Sequence, residues 1–378
     1  MSLEWFAVAS PGLEGVLAEE LAALPEIGQT RAVAGGVEFA GPLAAGMAAN
    51  LASRIATRIL LRVGEVRARD FASLRRGLAK LAWRSFIPND SPLRIDVTAS
   101  HCRLYHTGAL ADTLALAVED CLGKLPRREK GSVADEGRAC TRLLLRGQDD
   151  RFLASVDSSG DLLHRRGWRI EAGPAPLRET LAAGILALCD YDPALSLVDP
   201  MCGSGTVAIE AAAVARALAP GGGRSFAFER WPTHDEGIWR KVRALRAGHA
   251  RAPAQIFASD RDPRAVEMAR RNAKRAGVAT DIQFAVAAFG KGAIPATPGL
   301  VVLNPPYGHR LEKRGNARRL ARGLGQDLAS CYRGWRAAVL CPDAVFVAAV
   351  SAGARRQPDK TFALRNGGLR VRLGVWSL

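Results

Sequence analysis

The sequence predicts an α/β protein in which a mainly parallel sheet ends in an antiparallel hairpin and is preceded by two smaller α+β modules. From about residue 170, strand-like runs alternate with helical patterns, as they do in parallel βαβ units. The last run divides into two β segments around Asn366-Gly367-Gly368, which is typical of a hairpin. The first 165 residues mix strands and helices without that alternation.

The first module, residues 1–56, begins with a strand and a helix. WFAVAS predicts the strand, Ser10 stands where an N-cap belongs and Pro11 where a first helical residue belongs. Apolar residues at helical spacing continue to about Leu24. TRAVAGGVEFAG then predicts two strands that turn at Gly35 and Gly36.

The second module, residues 57–165, combines the predicted strands RILLRVGEVRAR and LRIDVTAS, the helix HTGALADTLALAVEDCLGKL and the hairpin TRLLLRGQDDRFLASVDSSG. Arginines recur through it, so its solvent face is expected to be basic. The third domain, residues 170–378, has helices in TVAIEAAAVARAL and PRAVEMARRNAKRAG. Its strands are predicted at 195–200, 255–260, 282–287, 300–306 and 344–351.

Charge gives the broadest functional indication. The chain has 53 Lys and Arg against 37 Asp and Glu, a net charge of +16. Such a surface attracts polyanions, of which nucleic acid is the commonest; a generally basic surface without that partner is the alternative. Seven scattered cysteines and the lack of a long apolar run favour a cytoplasmic protein with no disulfide framework, metal site or membrane span.

SLVDPMCGSGTVAIEAA, residues 196–212, predicts a ligand-binding crossing from strand to helix. A buried strand ends at Asp199, Gly203 and Gly205 make a tight turn, and a helix begins near Thr206. Glycine lets the backbone approach a ligand, and the first N–H groups of a helix can receive a carboxylate or phosphate. Alone, the pattern also fits any strand-turn-helix connection.

FASDRDPRAVEMARRNAKRAG, residues 257–277, places Asp260 at the end of the next strand, where its carboxylate can accept both hydroxyls of a ribose. Asp262 and Pro263 instead have the residue types of a helix cap and a first helical residue. Asp260 follows Gly205 by 55 residues. A dinucleotide fingerprint has about 20, so the spacing disfavours NAD.

The motif LVVLNPPY, residues 300–307, begins as a predicted core strand and ends in residues that are suited to binding an exocyclic amine. Such an amine is a poor nucleophile because its lone pair is delocalised into the base, so it must be held in line while acceptors draw on its N–H bonds. Asn304 offers a side-chain carbonyl, Pro305 a backbone carbonyl, and Tyr307 a ring on which an extruded base can stack. A rigid proline turn is the alternative for this motif alone; its position beside the other two motifs favours catalysis.

With these residues together, the chain resembles the THUMP-containing RNA guanine-N2 methyltransferases over nearly its whole length. FAVASPGLEGVLAEEL is similar to that family's ferredoxin-like element, and ASRIATRILLRVGEVRARDF, with YHTGAL and VDSSGDLLHRRGWR, to its THUMP module. APLRETLAAGIL, DPMCGSGT, RSFAFERW and NPPYGHRL are similar to its catalytic domain. The resemblance implies a class I, Rossmann-like methyltransferase domain that uses S-adenosyl-L-methionine (SAM), preceded by a ferredoxin-like module and an RNA-binding THUMP domain.

The resemblance also implies roles for single residues. The cofactor is expected to contact Asp199, Gly203, Gly205, Thr206 and Asp260, and the base to contact Asn304, Pro305 and Tyr307. Arg178 and Thr180, before the first strand of the sheet, are expected to close over the cofactor, with an ordinary helix start as the alternative. Family members often have an acidic residue after the third strand to bind adenine. Ala287 and Ala288 stand there in this chain, so backbone groups or apolar packing would have to read adenine.

LHRRGWRI, residues 163–170, interleaves Arg165, Arg166 and Arg169 with Trp168. This arrangement is suited to RNA phosphates and base stacking. A solvated surface is the alternative.

The leading hypothesis is SAM-dependent methylation of a guanine N2 in structured RNA, 23S rRNA first and tRNA second, with a single modification activity. Adenine N6 is a rival target, because Asn-Pro-Pro-Tyr also serves adenine. An RNA-binding ribosome-assembly protein with a vestigial cofactor pocket is a hypothesis of another class, supported only by Ala287 and Ala288.

Overall fold

Within the described residues of the computed structural model, two seven-stranded sheets organise two separate units. The structure describes residues 2–124, 127–128, 140–171, 177–246, 248, 255–306 and 314–378. By their contacts, Met1–Ala9, Ala18–Leu163 and Arg224–Leu245 form the first unit, and Ser10–Leu17, His164–Gly223 and Arg246–Leu378 form the second.

The strands are β1 (Leu3–Val8), β2 (Thr30–Val33), β3 (Gly36–Gly41), β4 (Arg58–Arg67), β5 (Leu93–Ser100), β6 (Thr141–Gln148), β7 (Arg151–Asp157), β8 (Leu197–Asp199), β9 (Ile256–Asp260), β10 (Ile282–Val286), β11 (Leu300–Leu303), β12 (Arg336–Cys341), β13 (Lys360–Asn366) and β14 (Leu369–Ser377). The α-helices are α1 (Glu14–Ala22), α2 (Leu43–Ala52), α3 (Phe71–Ala79), α4 (Thr107–Leu122), α5 (Glu179–Leu188), α6 (Thr206–Ala215), α7 (Glu236–Ala244), α8 (Pro263–Arg275), α9 (Arg314–Cys331) and α10 (Ala344–Ala354).

The first sheet has the strand order β2-β3-β1-β4-β7-β6-β5, and the second has the order β10-β9-β8-β11-β12-β14-β13. In the second sheet β10, β9, β8, β11 and β12 run parallel, while β14 and β13 are antiparallel. This is the predicted α/β fold with its C-terminal hairpin. The strand order reverses between β8 and β11, and ligands of open α/β sheets bind at the carboxyl ends of the strands beside such a switch point.

The centre of the second sheet is buried on both faces. All four residues of β11 are buried, and Leu303 packs in one core with Leu328, Trp335, Val339 and Trp376. Continuous apolar strands of this kind are required where helices cover both faces of a sheet. The strand ends that carry the polar motifs are therefore fixed by a close-packed interior.

Most predicted elements occur where the sequence indicated. The C-terminal hairpin is β13–β14, with Asn366 paired to Leu369. The helices α4, α6 and α8 lie within their predicted stretches. The turn between β2 and β3 is Ala34-Gly35, one residue earlier than predicted, because Gly36 already belongs to β3 and pairs with Val33.

Two local predictions were wrong. Residues 344–351, predicted as a strand, belong to α10, and β12 is the strand in that part of the sheet. Asp343 caps α10 by accepting the Phe346 N–H at 2.8 Å. The first helix begins at Glu14 and not at Pro11, because Gly12 has φ 93°, outside the right-handed helical region.

The segment Arg224–Leu245 contributes aromatic side chains to the core of the first unit. The Trp231 ring stacks on Trp5 at a centroid distance of 6.4 Å and meets the edge of Phe86 at 5.1 Å. Phe228 and Trp239 from the same segment pack edge to face at 5.0 Å. Arg224–Leu245 lies between β8 and β9 of the second sheet in the sequence, but its aromatic side chains complete the core of the first unit.

All seven cysteines are free thiols. No helix among the described residues is long and apolar enough to cross a membrane. In the same part of the chain, no three His, Cys, Asp or Glu side chains are grouped so that they could hold a metal ion.

Candidate active site

A cavity of about 840 Å³ opens at the carboxyl ends of β8, β9 and β11, beside the switch in strand order. Its volume is within the range of small-molecule and cofactor sites. Of the residues expected to contact the cofactor or the base, those that line it are Asp199, Gly203, Thr206, Asp260 and Asn304, whereas Gly205 and Pro305 do not. Three motifs far apart in the sequence meet here because the carboxyl ends of parallel strands share one edge of the sheet.

The loop after β8 is shaped by two glycines in left-handed conformations. Gly203 has φ 51° and Gly205 has φ 84°. A Cβ at Gly205 would also lie 2.9 Å from the Cβ of Ala269 in α8, so a larger residue there would push the loop off the helix. Among the described residues, no atom outside the adjoining ones lies within 4 Å of a Cβ built on Gly203, so the space beside its Cα is open to the cavity it lines.

Asp260 connects the end of β9 to this loop. One carboxylate oxygen accepts the Gly203 N–H at 3.0 Å, and the other accepts the Asp262 N–H at 3.0 Å. Each carboxylate oxygen has two acceptor positions, so both can accept a further hydrogen bond from a ligand. Asp262 caps α8 through the Arg264 N–H at 2.9 Å, with Pro263 as the first helical residue, as the sequence predicted.

Asp199 contributes a carboxyl group to the lining of the cavity. This carboxyl is buried, and burial together with the nearby charge of Asp260 raises its pKa to about 7, although backbone N–H groups of Met201 and Ala208 oppose the shift. Burial likewise raises the pKa of the Cys202 thiol far above its ordinary value, so this cysteine stays protonated. A cationic ligand would stabilise the charged form of Asp199.

Asn304 follows β11 directly and lines the cavity. Its Oδ1 atom is buried and has no hydrogen-bond partner among the residues that the structure describes. A buried carbonyl oxygen without a donor carries a desolvation cost that a bound donor would relieve. Pro305 is buried, and Pro306 lines the cavity. Tyr307 lies outside the described residues.

The segment before α5 is placed differently from the expectation. Arg178 is the exposed N-cap position of α5, and Thr180 is buried in the first turn of that helix. Neither lines the cavity, whereas Leu177 does.

Most of the motif at 163–170 faces inward. Arg166 and Trp168 are 5% and 8% exposed, and Arg166 pairs with Glu210 of α6 at 3.3 Å. Arg169 pairs with Glu179 at 3.1 Å, and its guanidinium stands over the Trp168 ring at 5.5 Å. Arg166 and Arg169 therefore have partners inside the protein, and Arg165 is the arginine of this motif that is exposed to solvent. The RNA role of the motif stays a prediction.

Arg169 also reaches the cavity wall. Its Nη2 donates to the Thr206 hydroxyl at 2.8 Å and to the Leu177 carbonyl at 2.6 Å, and both of those residues line the cavity. Burial raises the pKa of its partner Glu179 to about 7, an effect that the Arg169 charge opposes. The sequence signal for this network was Glu210 inside the otherwise apolar helix α6, where a carboxylate requires a cation. Glu179 gave no such signal, because it is the first residue of α5, where an acidic side chain is common.

Two further lining residues were not anticipated. Glu171 accepts from Arg271 and Arg275 of α8 at 2.6 and 3.0 Å, and these arginines lower its pKa to about 2. Arginines four residues apart on a helix repel each other, and the carboxylate of Glu171, which pairs with both, offsets that repulsion. Phe289, just after Ala287 and Ala288, lines the cavity and stacks on Tyr332 at 6.1 Å.

Comparison with known proteins was made by family, sequence and structure. A family model described as RMKL-like, methyltransferase domain matches residues 166–372, more than half of the chain, and one described as RlmL ferredoxin-like domain matches residues 4–60. Proteins named ribosomal RNA large subunit methyltransferase K/L are similar to the whole chain. The one from Aliivibrio fischeri is 34% identical over 376 residues, which are 97% of this chain and 52% of that protein. The one from Methylococcus capsulatus is 36% identical over 394 residues, 100% and 52% of the two chains. The chain thus spans about half the length of these curated relatives.

Solved structures cover the full length. SMU.472, described as a methyltransferase complexed with SAH, has a TM-score of 0.86 and 29% identity and covers 99% of this chain and 98% of its own. A protein from Listeria monocytogenes, described as a predicted N6-adenine-specific DNA methylase, has a TM-score of 0.88 and 29% identity, with 100% and 97% covered.

Proposed function

This chain belongs to the RMKL-like methyltransferase family, and from that premise we propose that it transfers a methyl group from SAM to the exocyclic N2 amine of a guanine in ribosomal RNA, 23S rRNA in particular. The observation that carries the proposal is the buried Oδ1 of Asn304 at the cavity, which no described residue pairs with. An amine N–H is the kind of donor that this oxygen lacks.

The cavity residues fit SAM. Asp199 and Asp260 put two carboxyl groups beside a loop with open backbone at Gly203, and carboxylates favour a cationic ligand. We assign the ribose hydroxyls to the free acceptor positions of Asp260 and the approach of the ligand to Gly203, Gly205 and Thr206. Bound SAM supplies a methyl group on a positively charged sulfur. Phe289 provides the apolar surface on which adenine would pack in the absence of an acidic residue at 287 or 288.

The protein's part in the transfer is to position and polarise the amine. Asn304 Oδ1 and the Pro305 carbonyl accept the two N–H bonds of the guanine amine, which raises electron density on the nitrogen and aligns its lone pair. Transfer of the methyl group would leave the sulfur of the donor as a neutral thioether and would make the newly methylated nitrogen cationic. It then releases one proton to solvent, since such an ammonium is strongly acidic, so no strong general base is required. Holding the two reactants in line provides most of the acceleration.

Base stacking on Tyr307 remains a prediction, as does the closing of Arg178 and Thr180 over the cofactor. We also propose the domain limits 1–56, 57–165 and 170–378, with the second as the THUMP domain that grips structured RNA. The net charge of +16 supports an RNA partner. A cytoplasmic location follows from such a substrate and is part of the proposal.

Three alternative functions remain. Guanine N2 in tRNA would keep the mechanism and change the substrate. Adenine N6 has a specific observation in its favour, since the Listeria relative carries that description. An RNA-binding assembly protein without catalysis is the third, and for it the cavity would have to be unable to bind SAM.

The experiment that tests the proposal uses labelled SAM and separate pools of unmodified 23S rRNA, 16S rRNA and tRNA. Each pool is digested after incubation, and the methylated nucleoside is identified by mass spectrometry. We expect N2-methylguanosine in 23S rRNA alone. N6-methyladenosine, or N2-methylguanosine in tRNA, would replace the proposed target by one of the alternatives. RNA binding without product in any pool would contradict catalysis and favour the assembly protein.

A further inference from the structure

Three arginines share one exposed face of the hairpin β13–β14. Arg365 and Arg370 are directly opposite each other across the two strands, and Arg372, opposite Ala363, is the next residue on the same face. All three are exposed. Because Leu364 and Val371 between them are only 3% exposed, the other face of the hairpin is anchored in the core and the register is fixed. These residues, Arg365, Arg370 and Arg372, are called the hairpin arginines below.

The hairpin arginines have no acidic partner in the part of the chain that the structure describes. No ion pair or hydrogen bond joins their side chains to any described residue, whereas Arg271 and Arg275 of α8 share Glu171. Like charges directly opposite on neighbouring strands destabilise a sheet. A bound anion would remove that repulsion.

The register places the hairpin arginines towards the end of the strands at which the cavity opens. Leu303, the last residue of β11, pairs with Val339 of β12, and Cys341, two residues further on, pairs with Arg372. Arg372 is therefore level with the position of Pro305, two residues past Leu303. Since β14 is the second strand from β11 and β13 the third, these strands lie about 10 and 15 Å across the sheet from β11. Arg365 and Arg370 are two residues further along them than the level of Arg372.

Protection of an edge strand is the ordinary use of exposed charge on a sheet. It accounts for Arg365, because β13 is the edge strand. It does not account for Arg370 and Arg372, because β14 is paired on both sides and presents no open edge.

We propose that the hairpin arginines bind phosphates of the RNA strand that flanks the target base. The inference rests on the proposed function, since it takes RNA as the substrate, and it adds a phosphate-binding surface on the catalytic unit to the one expected of the THUMP domain. Arginine recognises phosphate with a planar, two-pronged set of donors, and a strand whose base occupies the cavity continues away from it along the same edge of the sheet.

The test compares two pairs of substitutions in the same unit. R365Q/R370Q removes two hairpin arginines. The control R355Q/R356Q removes two exposed arginines just after α10. The chain there has returned to the other end of the strands, away from the cavity, where the Asp359 N–H donates to the Val375 carbonyl. Affinity for a labelled 23S rRNA transcript is measured between about 50 and 200 mM salt, because each phosphate contact to a single strand contributes about 0.7 to the slope of log affinity against log salt. SAM affinity and methyl transfer are measured in parallel.

For R365Q/R370Q we expect the slope to become shallower by about 1.4 and the KM for RNA to rise, with SAM affinity and kcat at saturating RNA unchanged. The control should keep the wild-type slope. Equal slopes for wild type and both variants would overturn the proposal and leave the face to edge protection or to an acidic protein. Equal loss in both variants would also overturn it, since it would indicate attraction by net charge. Absence of methyl transfer by the wild type, with the slope change present, would reject the proposed function and retain phosphate binding.

Discussion

The carboxylate of Asp260 accepts the Gly203 N–H at 3.0 Å, so the end of β9 fixes the turn that follows β8. The same side chain lines the cavity. One residue therefore shapes the glycine loop and presents acceptors to the ligand, and its two effects should be lost together on substitution.

Replacing Asp260 by alanine should weaken SAM binding about 10- to 100-fold. A hydrogen bond to a charged group contributes about 1.5 to 3 kcal/mol, and each 1.4 kcal/mol is tenfold in affinity. Isothermal titration calorimetry measures the loss. The control is Asp343→Ala, which removes another aspartate cap of the same unit away from the cavity. Wild-type affinity in Asp260→Ala would show that the ligand does not use this carboxylate.

Replacing Asn304 by alanine should lower the rate of methyl transfer by about 10² to 10³, because one aimed hydrogen-bonding group at a reacting centre is typically worth that much. SAM affinity should stay at the wild-type value, since the proposed partner of Oδ1 is the base amine. Single-turnover kinetics at saturating SAM and RNA measure the rate. Asn316→Ala, an exposed amide on α9, is the matched control. A wild-type rate in Asn304→Ala would refute the proposed activation of the amine.

The parts of the fold that the sequence could predict are those with a distinctive period or turn residue. β11, α8 and the hairpin at Asn366 have such signals. Residues 344–351 have none, because an apolar run of that length fits a buried strand and a buried helix equally well. Asp343 was the residue that decided between them, as a cap for α10.

The candidate site was predictable where strand ends supply it, because parallel strands bring Asp199, Asp260 and Asn304 to one edge without knowledge of the side-chain packing. The inward position of Arg166, which is buried, and of Arg169, which is half-buried, was not predictable in this way. An arginine in a polar, aromatic stretch has the same sequence signature whether it faces RNA or a carboxylate, and only tertiary structure places Glu210 and Glu179 beside these two.

The buried carboxyl of Asp199 should make stability depend on pH in a defined direction. Its pKa is about 7 in the folded protein against an ordinary value of 3.8, so between these values the folded protein holds a proton that the unfolded chain has released. Its contribution to stability is complete below about pH 4 and is lost as the pH rises through 7. Asp199→Asn, which is permanently neutral, should lack this loss.

Urea unfolding of wild type and Asp199→Asn without SAM, at about pH 4 to 8, tests this. The wild type should lose on the order of a few kcal/mol relative to the variant over that range. The comparison cancels the opposite contribution of Glu171, whose pKa is lowered to about 2. A difference between the two proteins that does not change with pH would mean that Asp199 is ionised in the folded state throughout.

Replacing Arg169 by methionine should act on stability and not on RNA affinity. The substitution leaves Glu179 buried without its cation, and breaking a buried pair in this way costs about 3 to 5 kcal/mol. The control is Arg165→Gln, four residues earlier in the chain. Because Arg165 is exposed, this substitution should leave the free energy of unfolding near the wild-type value. Denaturant unfolding and the salt dependence of RNA affinity are measured on both. A shallower salt slope with unchanged stability in Arg169→Met would restore the original assignment of this residue to RNA.

Replacing Trp231 by alanine should destabilise the first unit by about 3 to 5 kcal/mol, the usual cost of removing a large buried aromatic side chain. Trp231 is 4% exposed and contacts Trp5 and Phe86, which lie far from it in sequence. Phe71→Ala removes a side chain of a residue that is 39% exposed and should destabilise the unit much less.

For the same reason a fragment of residues 1–165 should unfold at a lower urea concentration than one to which residues 224–245 are joined by a flexible linker. Equal midpoints for the two fragments would show that the first unit does not depend on this segment for its stability.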